Sequence, residues 1–172
     1  MKRFVLTILV AFIALSTSAQ QWGHTIYGNG YQANRISSDG ALSKGYRSMI
    51  ELYQGFCAHM DYANLLTYVG GYQYNPYFFL GGFAGGGYLS CGDDFWMQVG
   101  ADFRTYLGKG RNVPFLGLKY GYQLVDDESL MLVGGQLGMR HAIRNGKGIS
   151  YGIQATCDFD DSYILFKVAF EF

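Results

Sequence analysis

Apolar and polar residues alternate with a period of two through most of the chain after Gly45. The alternation is cleanest between Phe95 and Leu107. There Met97, Val99, Ala101, Phe103, Thr105 and Leu107 share one side, and Gln98, Gly100, Asp102, Arg104 and Tyr106 share the other. Successive side chains of a strand point to opposite faces, so this spacing predicts a strand with one apolar and one polar face. The same register sets Leu116, Leu118, Tyr120, Tyr122 and Leu124 against Gly117, Lys119, Gly121 and Gln123. It also sets Ile149, Tyr151, Ile153, Ala155 and Cys157 against Ser150, Gly152, Gln154 and Thr156. At the C-terminus Ile164, Phe166, Val168, Phe170 and Phe172 form an unbroken apolar row opposite Lys167, Ala169 and Glu171.

Read with its turn signals, the pattern predicts strands over Tyr46 to Phe56, Ala63 to Tyr74, Tyr77 to Leu89, Phe95 to Leu107, Val113 to Val125, Leu130 to Ile143, Ile149 to Cys157 and Tyr163 to Phe172. Their lengths fit the ~9–11 residues that a tilted strand needs to cross a hydrocarbon layer. An even number of hairpin-connected strands closes without an exposed edge. The expected fold class is all-β, an eight-stranded antiparallel transmembrane up-and-down β-barrel over residues 45–172.

The sidedness follows from what each face carries. The stretch Gly70 to Leu89 holds two aromatic, glycine-rich runs joined at Asn75-Pro76, a turn signal. Its Tyr72, Tyr74, Tyr77, Phe78, Phe79, Leu80, Phe83, Tyr88 and Leu89 are too many large groups for one face of a small soluble sheet. Either both faces are buried or one meets lipid. The polar rows collect glycines, glutamines and single charges, which suits a polar interior and a lipid-facing exterior. Arg47, Glu51, Asp102, Arg104, Lys119, Arg140, Lys167 and Glu171 all fall on inward rows and are of both signs. In a barrel just wide enough to be filled by side chains they are expected to pair into a network that plugs it. Removing one partner is expected to cost more than removing both, because an orphaned interior charge is left behind.

Composition agrees: only 15% of the 172 residues are charged and 17% are aromatic, with 25 glycines and no net charge. The chain is too apolar to be disordered and lacks the basic excess of a nucleic-acid binder. The connections sort by charge. Alternate ones, beginning after the first strand, carry Asp61, then Asp93-Asp94, then Asp126-Asp127-Glu128, then Asp158 with Asp160-Asp161. The others carry Asn75-Pro76, then Lys109, Arg111 and Asn112, then Arg144, Asn145, Gly146 and Lys147. One end of the barrel is therefore acidic and the other basic. With both termini periplasmic, as is ordinary for such barrels, the acidic loops lie outside. None of them has the ordered spacing of a calcium loop.

The N-terminus reads separately. Lys2 and Arg3, an apolar run from Phe4 to Leu15 and the small residues ending at Ala19 form a secretory signal peptide, with cleavage expected after Ala19. The run is too short to span a bilayer as a helix, and no cysteine follows to take a lipid. Residues 20–44 are a mixed polar lead-in to the barrel.

The export signal, the eight amphipathic strands and the terminal row ending in Phe172 resemble the small outer-membrane β-barrel proteins of Gram-negative bacteria. GYQYNPYFFLGG at Gly71 to Gly82 and GYRSMIELYQGF at Gly45 to Phe56 resemble a group known only as outer membrane beta-barrel proteins. The resemblance covers about Gly45 to Phe172. It implies insertion by the outer-membrane assembly machinery, with Phe166, Val168, Phe170 and Phe172 as the recognition signal. It also implies contact with outer-membrane lipid and lipopolysaccharide. It supplies no agreed activity, and the short outer loops depart from members with long adhesive ones.

Candidate chemistry is sparse, with no cofactor or metal site expected. The histidines are His24, His59 and His141; His59 with Asp61, or His141 with Ser150, are the pairs to test for acid-base or nucleophilic work. Gly85-Gly86-Gly87 is not a phosphate loop, because no helix start or Gly-Lys-Ser/Thr follows. Cys57, Cys91 and Cys157 all map to the acidic end and are expected as free thiols. Three functions stay open: a non-enzymatic envelope-structural or surface-interaction protein, a lipid-modifying barrel enzyme, and a soluble lipocalin-like carrier of an apolar ligand.

Overall fold

The computed structural model describes residues 42–57, 62–90, 94–125, 128–143, 147–157 and 162–172. The predicted signal peptide, His24, His59, Asp61, Cys91, Arg144 and most of the acidic loop residues lie outside these. Eight strands form one closed barrel: β1 Gly45–Cys57, β2 Tyr62–Gln73, β3 Phe78–Leu89, β4 Asp94–Tyr106, β5 Asn112–Val125, β6 Glu128–Ala142, β7 Gly148–Cys157 and β8 Ser162–Glu171. Every neighbouring pair is antiparallel, and β8 returns to β1 from Met49 opposite Glu171 to Cys57 opposite Tyr163. Closure leaves no unpaired edge. The predicted strands differ from these only at their ends, by one or two residues in either direction.

Local chemistry explains the tight connections. Between β2 and β3, Asn75 Oδ1 accepts from the backbone N–H of Tyr77 (2.8 Å) and of Phe78 (3.0 Å), while Tyr74 N–H donates to the Phe78 carbonyl at 2.9 Å. An asparagine side chain thus replaces a backbone turn, and Pro76 needs no donor there. Between β4 and β5 the chain passes Gly110 at a φ of 133°, which side-chain-bearing residues rarely adopt, and Leu107 N–H closes the hairpin on the Pro114 carbonyl.

Alternation survives around the whole barrel. β8 shows it without a break: Tyr163, Leu165, Lys167, Ala169 and Glu171 are buried, and Ile164, Phe166, Val168 and Phe170 are exposed. Outside, Leu66, Tyr122, Leu137, Tyr151, Ile164 and Phe166 are each more than half exposed, and similar side chains cover every strand.

The inside is more apolar than the polar rows of β4, β5 and β7 predicted. Met49, Val69, Phe79, Phe83, Tyr106, Val113, Phe115 and Leu132 form one buried cluster, which Leu42 joins from the lead-in. Towards the acidic end Tyr53, Ala63, Leu65, Tyr163 and Leu165 pack with Trp96, whose ring stacks on Tyr163 at 5.9 Å. The signal was present in β3, where both rows carry large rings: Phe79 and Phe83 turn inward, and Phe78, Leu80 and Tyr88 turn outward.

Glycine permits the tight curvature. Gly71 faces Gly81, Gly100 faces Gly121 and Gly138 faces Gly152 across neighbouring strands. A Cβ at Gly121 would overlap the Val99 carbonyl and lie 2.7 Å from Gly100 Cα, both unyielding backbone. Gly135, by contrast, points to open space. Gly121→Val is therefore expected to abolish the compact band of the unheated protein on a detergent gel, while Gly135→Ala leaves it unchanged.

Candidate functional site

The barrel interior is the only place among the described residues where charged groups converge, and Glu51 on β1 is its hub. Arg104 Nη2 donates to Glu51 Oε1 at 2.6 Å, Lys119 Nζ to Oε2 at 2.8 Å, and Lys167 Nζ to Oε1 at 3.1 Å. Tyr53 OH also donates to Oε2 at 2.6 Å and accepts from Lys119 at 2.8 Å. Asp102 grips Arg104 from two sides, Nε to Oδ1 at 2.9 Å and Nη2 to Oδ2 at 2.6 Å. Gln136 accepts from Lys167 and donates to Asp102 at 3.4 Å, tying both carboxylates to one lattice.

Strand register assembles this group. Asp102 on β4 is opposite Lys119 on β5, and Tyr53 on β1 is opposite Lys167 on β8. The small residues Gly117 and Gly121 flank Lys119 on its own face, so its stem can reach across to Glu51. Rings replace part of the water that the cations lose. Lys119 Nζ lies 4.6 Å from the Phe83 ring centre and 4.9 Å from that of Tyr53, and Lys167 Nζ lies 4.7 Å from that of Phe115. The Arg104 guanidinium sits between Phe79 and Phe115.

A second, separate group lies nearer the basic end. Glu171 Oε2 accepts from Arg47 Nη2 and from Arg140 Nε, both at 2.6 Å. The eight interior charges expected to form a single network therefore divide into two. Phe79 and Phe115 flank Arg104, and with Met49 they belong to the buried apolar cluster; the sequence reading placed none of these three inside, whereas it did place Tyr106 there. Glu51, Asp102, Arg104 and Lys119 are 0% exposed, so no water-sized space touches them. The arrangement fills the barrel and leaves these groups no aqueous path.

The other candidates do not assemble. His141 is exposed and lies against Asn112 Oδ1, whereas Ser150 is buried in the interior. They occupy opposite faces of the sheet, since Ser150 is opposite Arg140 and His141 is opposite Ile149. The expected His141 and Ser150 pair is thus corrected by the period of two. Cys157 is a free, exposed thiol that accepts a 3.5 Å contact from Ser162 Oγ. Phe166, Val168, Phe170 and Phe172 form an exposed outer row, away from the charges.

Together these features define a closed eight-stranded up-and-down barrel, charged within and apolar without. Solved structures share the fold. Neisserial surface protein A is 11% identical with a TM-score of 0.55, covering 73% of this chain and 94% of that one. The N-terminal β-barrel domain of Pseudomonas aeruginosa OprF is 12% identical with a TM-score of 0.55, covering 76% of this chain and 100% of that one. The outer membrane enzyme PagL is 11% identical with a TM-score of 0.52, covering 72% and 97%. No protein-family model matches the chain, and no curated protein sequence does either. The fold is that of transmembrane barrels, shared here with a surface protein, an outer membrane enzyme and a barrel domain.

Removing the hub tests the interior. Glu51→Gln strands three cations and is expected to lower the unfolding free energy in detergent by about 3–5 kcal/mol. Adding Lys119→Met to Glu51→Gln is expected to restore part of that loss, measured by denaturant titration of both variants.

Proposed function

We propose that this chain is an integral outer-membrane barrel, exported through residues 1–19, that serves a non-enzymatic envelope-structural or surface-interaction role. One observation carries the reading: large apolar side chains stand exposed on every strand while ion pairs occupy the inside. In water this distribution would expose a continuous apolar belt and bury charge, both unfavourable; in a bilayer the belt meets hydrocarbon. A soluble carrier would need the Phe166, Val168 and Phe170 row to turn inward, and that row is exposed.

In this reading the acidic loops face outward and the basic turns, with Lys109, Arg111 and Lys147, face the periplasm. Aromatic rings gather near both ends of the exterior, Tyr46 with Tyr72 and Tyr74 at the basic end and Phe56 with Tyr62 at the acidic end. Interfacial girdles of this kind belong to membrane barrels. A filled interior assigns contact with partners to the outer loops and the lipid-facing wall. The row ending at Phe172 serves as the assembly signal.

Membrane fractionation, with gels of unheated and heated detergent extract, tests the assignment. Recovery in the outer membrane with a heat-modifiable band is expected, and recovery in the soluble fraction overturns it. Deleting Phe172 is expected to reduce the outer-membrane fraction several-fold while leaving refolding in detergent intact. Should His59→Ala abolish a lipopolysaccharide modification in cells while the band persists, the enzymatic alternative replaces the structural one.

A further inference from the structure

The outer wall carries a groove of about 680 Å³ at the acidic half of β1, β2 and β3. Leu52, Leu66, Phe95 and Phe166 form its apolar sides, and Gly86 leaves its floor open. Two side chains in it do not match that surface. Gln54 and Asn64 lie directly opposite each other on β1 and β2, both on the outer face. No hydrogen bond among the described residues holds either amide. Ser48, the remaining polar outward residue of β1 besides Gln54, is by contrast capped by the Tyr68 hydroxyl at 2.9 Å. The amides sit two residues inside the Phe56 and Tyr62 ring pair, about 6–7 Å along the strand. That is just beneath the aromatic girdle, where a lipid's linkage groups meet its chains.

From these observations, and resting on the outer-membrane reading above, we infer that the groove binds one outer-leaflet lipid whose acyl chain is attached through an amide with a hydroxyl beside that linkage. An unpaired amide beside hydrocarbon is costly. A primary amide both donates and accepts, so two side by side are matched best by a partner that does both. An amide donates through its N–H and accepts through its carbonyl, and a hydroxyl does both; an ester only accepts. The chain lies along Leu52, Leu66 and Phe166 over Gly86, and the linkage reaches Gln54 and Asn64. The lipid class follows from this donor and acceptor set alone, whether its headgroup is a sugar or a phosphate.

Reconstitution of the full exported chain in phosphatidylcholine nanodiscs tests the inference, with spin-labelled ceramide and spin-labelled phosphatidylcholine as competing probes. The immobilised fraction is expected to favour ceramide by roughly tenfold, as two modest hydrogen bonds allow. Gln54→Leu with Asn64→Leu is expected to erase the preference and keep the heat-modifiable band, since leucine suits the lipid-facing wall. Gly86→Leu is expected to displace both probes. A Cβ there overlaps only the tip of the Phe95 ring at 2.8 Å, which can swing aside, and makes an ordinary 3.5 Å contact with the Trp96 carbonyl, so the barrel stays folded. Equal immobilisation of the two probes by the unaltered protein overturns the inference, as does a preference that survives the double substitution. A chain that fails to insert at all overturns the outer-membrane reading, an outcome the heat-modifiable band separates from loss of lipid selectivity.

Discussion

The structure depends on one buried carboxylate. Glu51 meets Arg104, Lys119 and Lys167, which arrive from three other strands, and so ties the wall together through its centre. Interior cations outnumber interior carboxylates, so the ion pairs alone do not balance them. Aromatic faces from Tyr53, Phe79, Phe83 and Phe115 supply part of what the missing carboxylates would. A small barrel makes this unavoidable: eight strands enclose room for side chains but not for the water that would solvate them.

The same closure sets demands on the wall. Three cross-strand glycine pairs let the backbone approach so closely that an inward Cβ would overlap the neighbouring strand. Filling and curvature are thus coupled. Where the wall bends there are glycines, and the space they leave admits the long stems of lysine and arginine. Outside, no such restriction applies, and the wall can present Leu, Phe and Tyr wherever the surroundings reward burial. Gly86, at the groove, is an outward glycine of β3 set between the inward Gly85 and Gly87.

Much of this was legible in the chain. A period of two is a local property, so the strands and the division of Phe95 to Leu107 into two faces could be read directly, and the eight inward charges with them. What failed was inference across strands. His141 and Ser150 are close in sequence, but an odd separation places them on opposite faces. The interior charges looked like one network because a list of inward residues does not say at what height each stands. Phe79 and Phe83 were hidden by their own hairpin, in which both faces are large and the alternation gives no contrast.

By itself, the sequence determined the number of strands, their order, the sides of each strand and the charge of the two ends, because each of these depends on neighbours along the chain. Only the tertiary structure decided height and partnership. Glu51 meets Lys119 and not Arg140 because strand register and shear fix which residues share a layer, and register is set by pairing between strands. The division of the charges into one group on Glu51 and another on Glu171, and the placing of Gln54 beside Asn64 on the outer wall, both follow from that register. Neither is written in any single stretch of the chain.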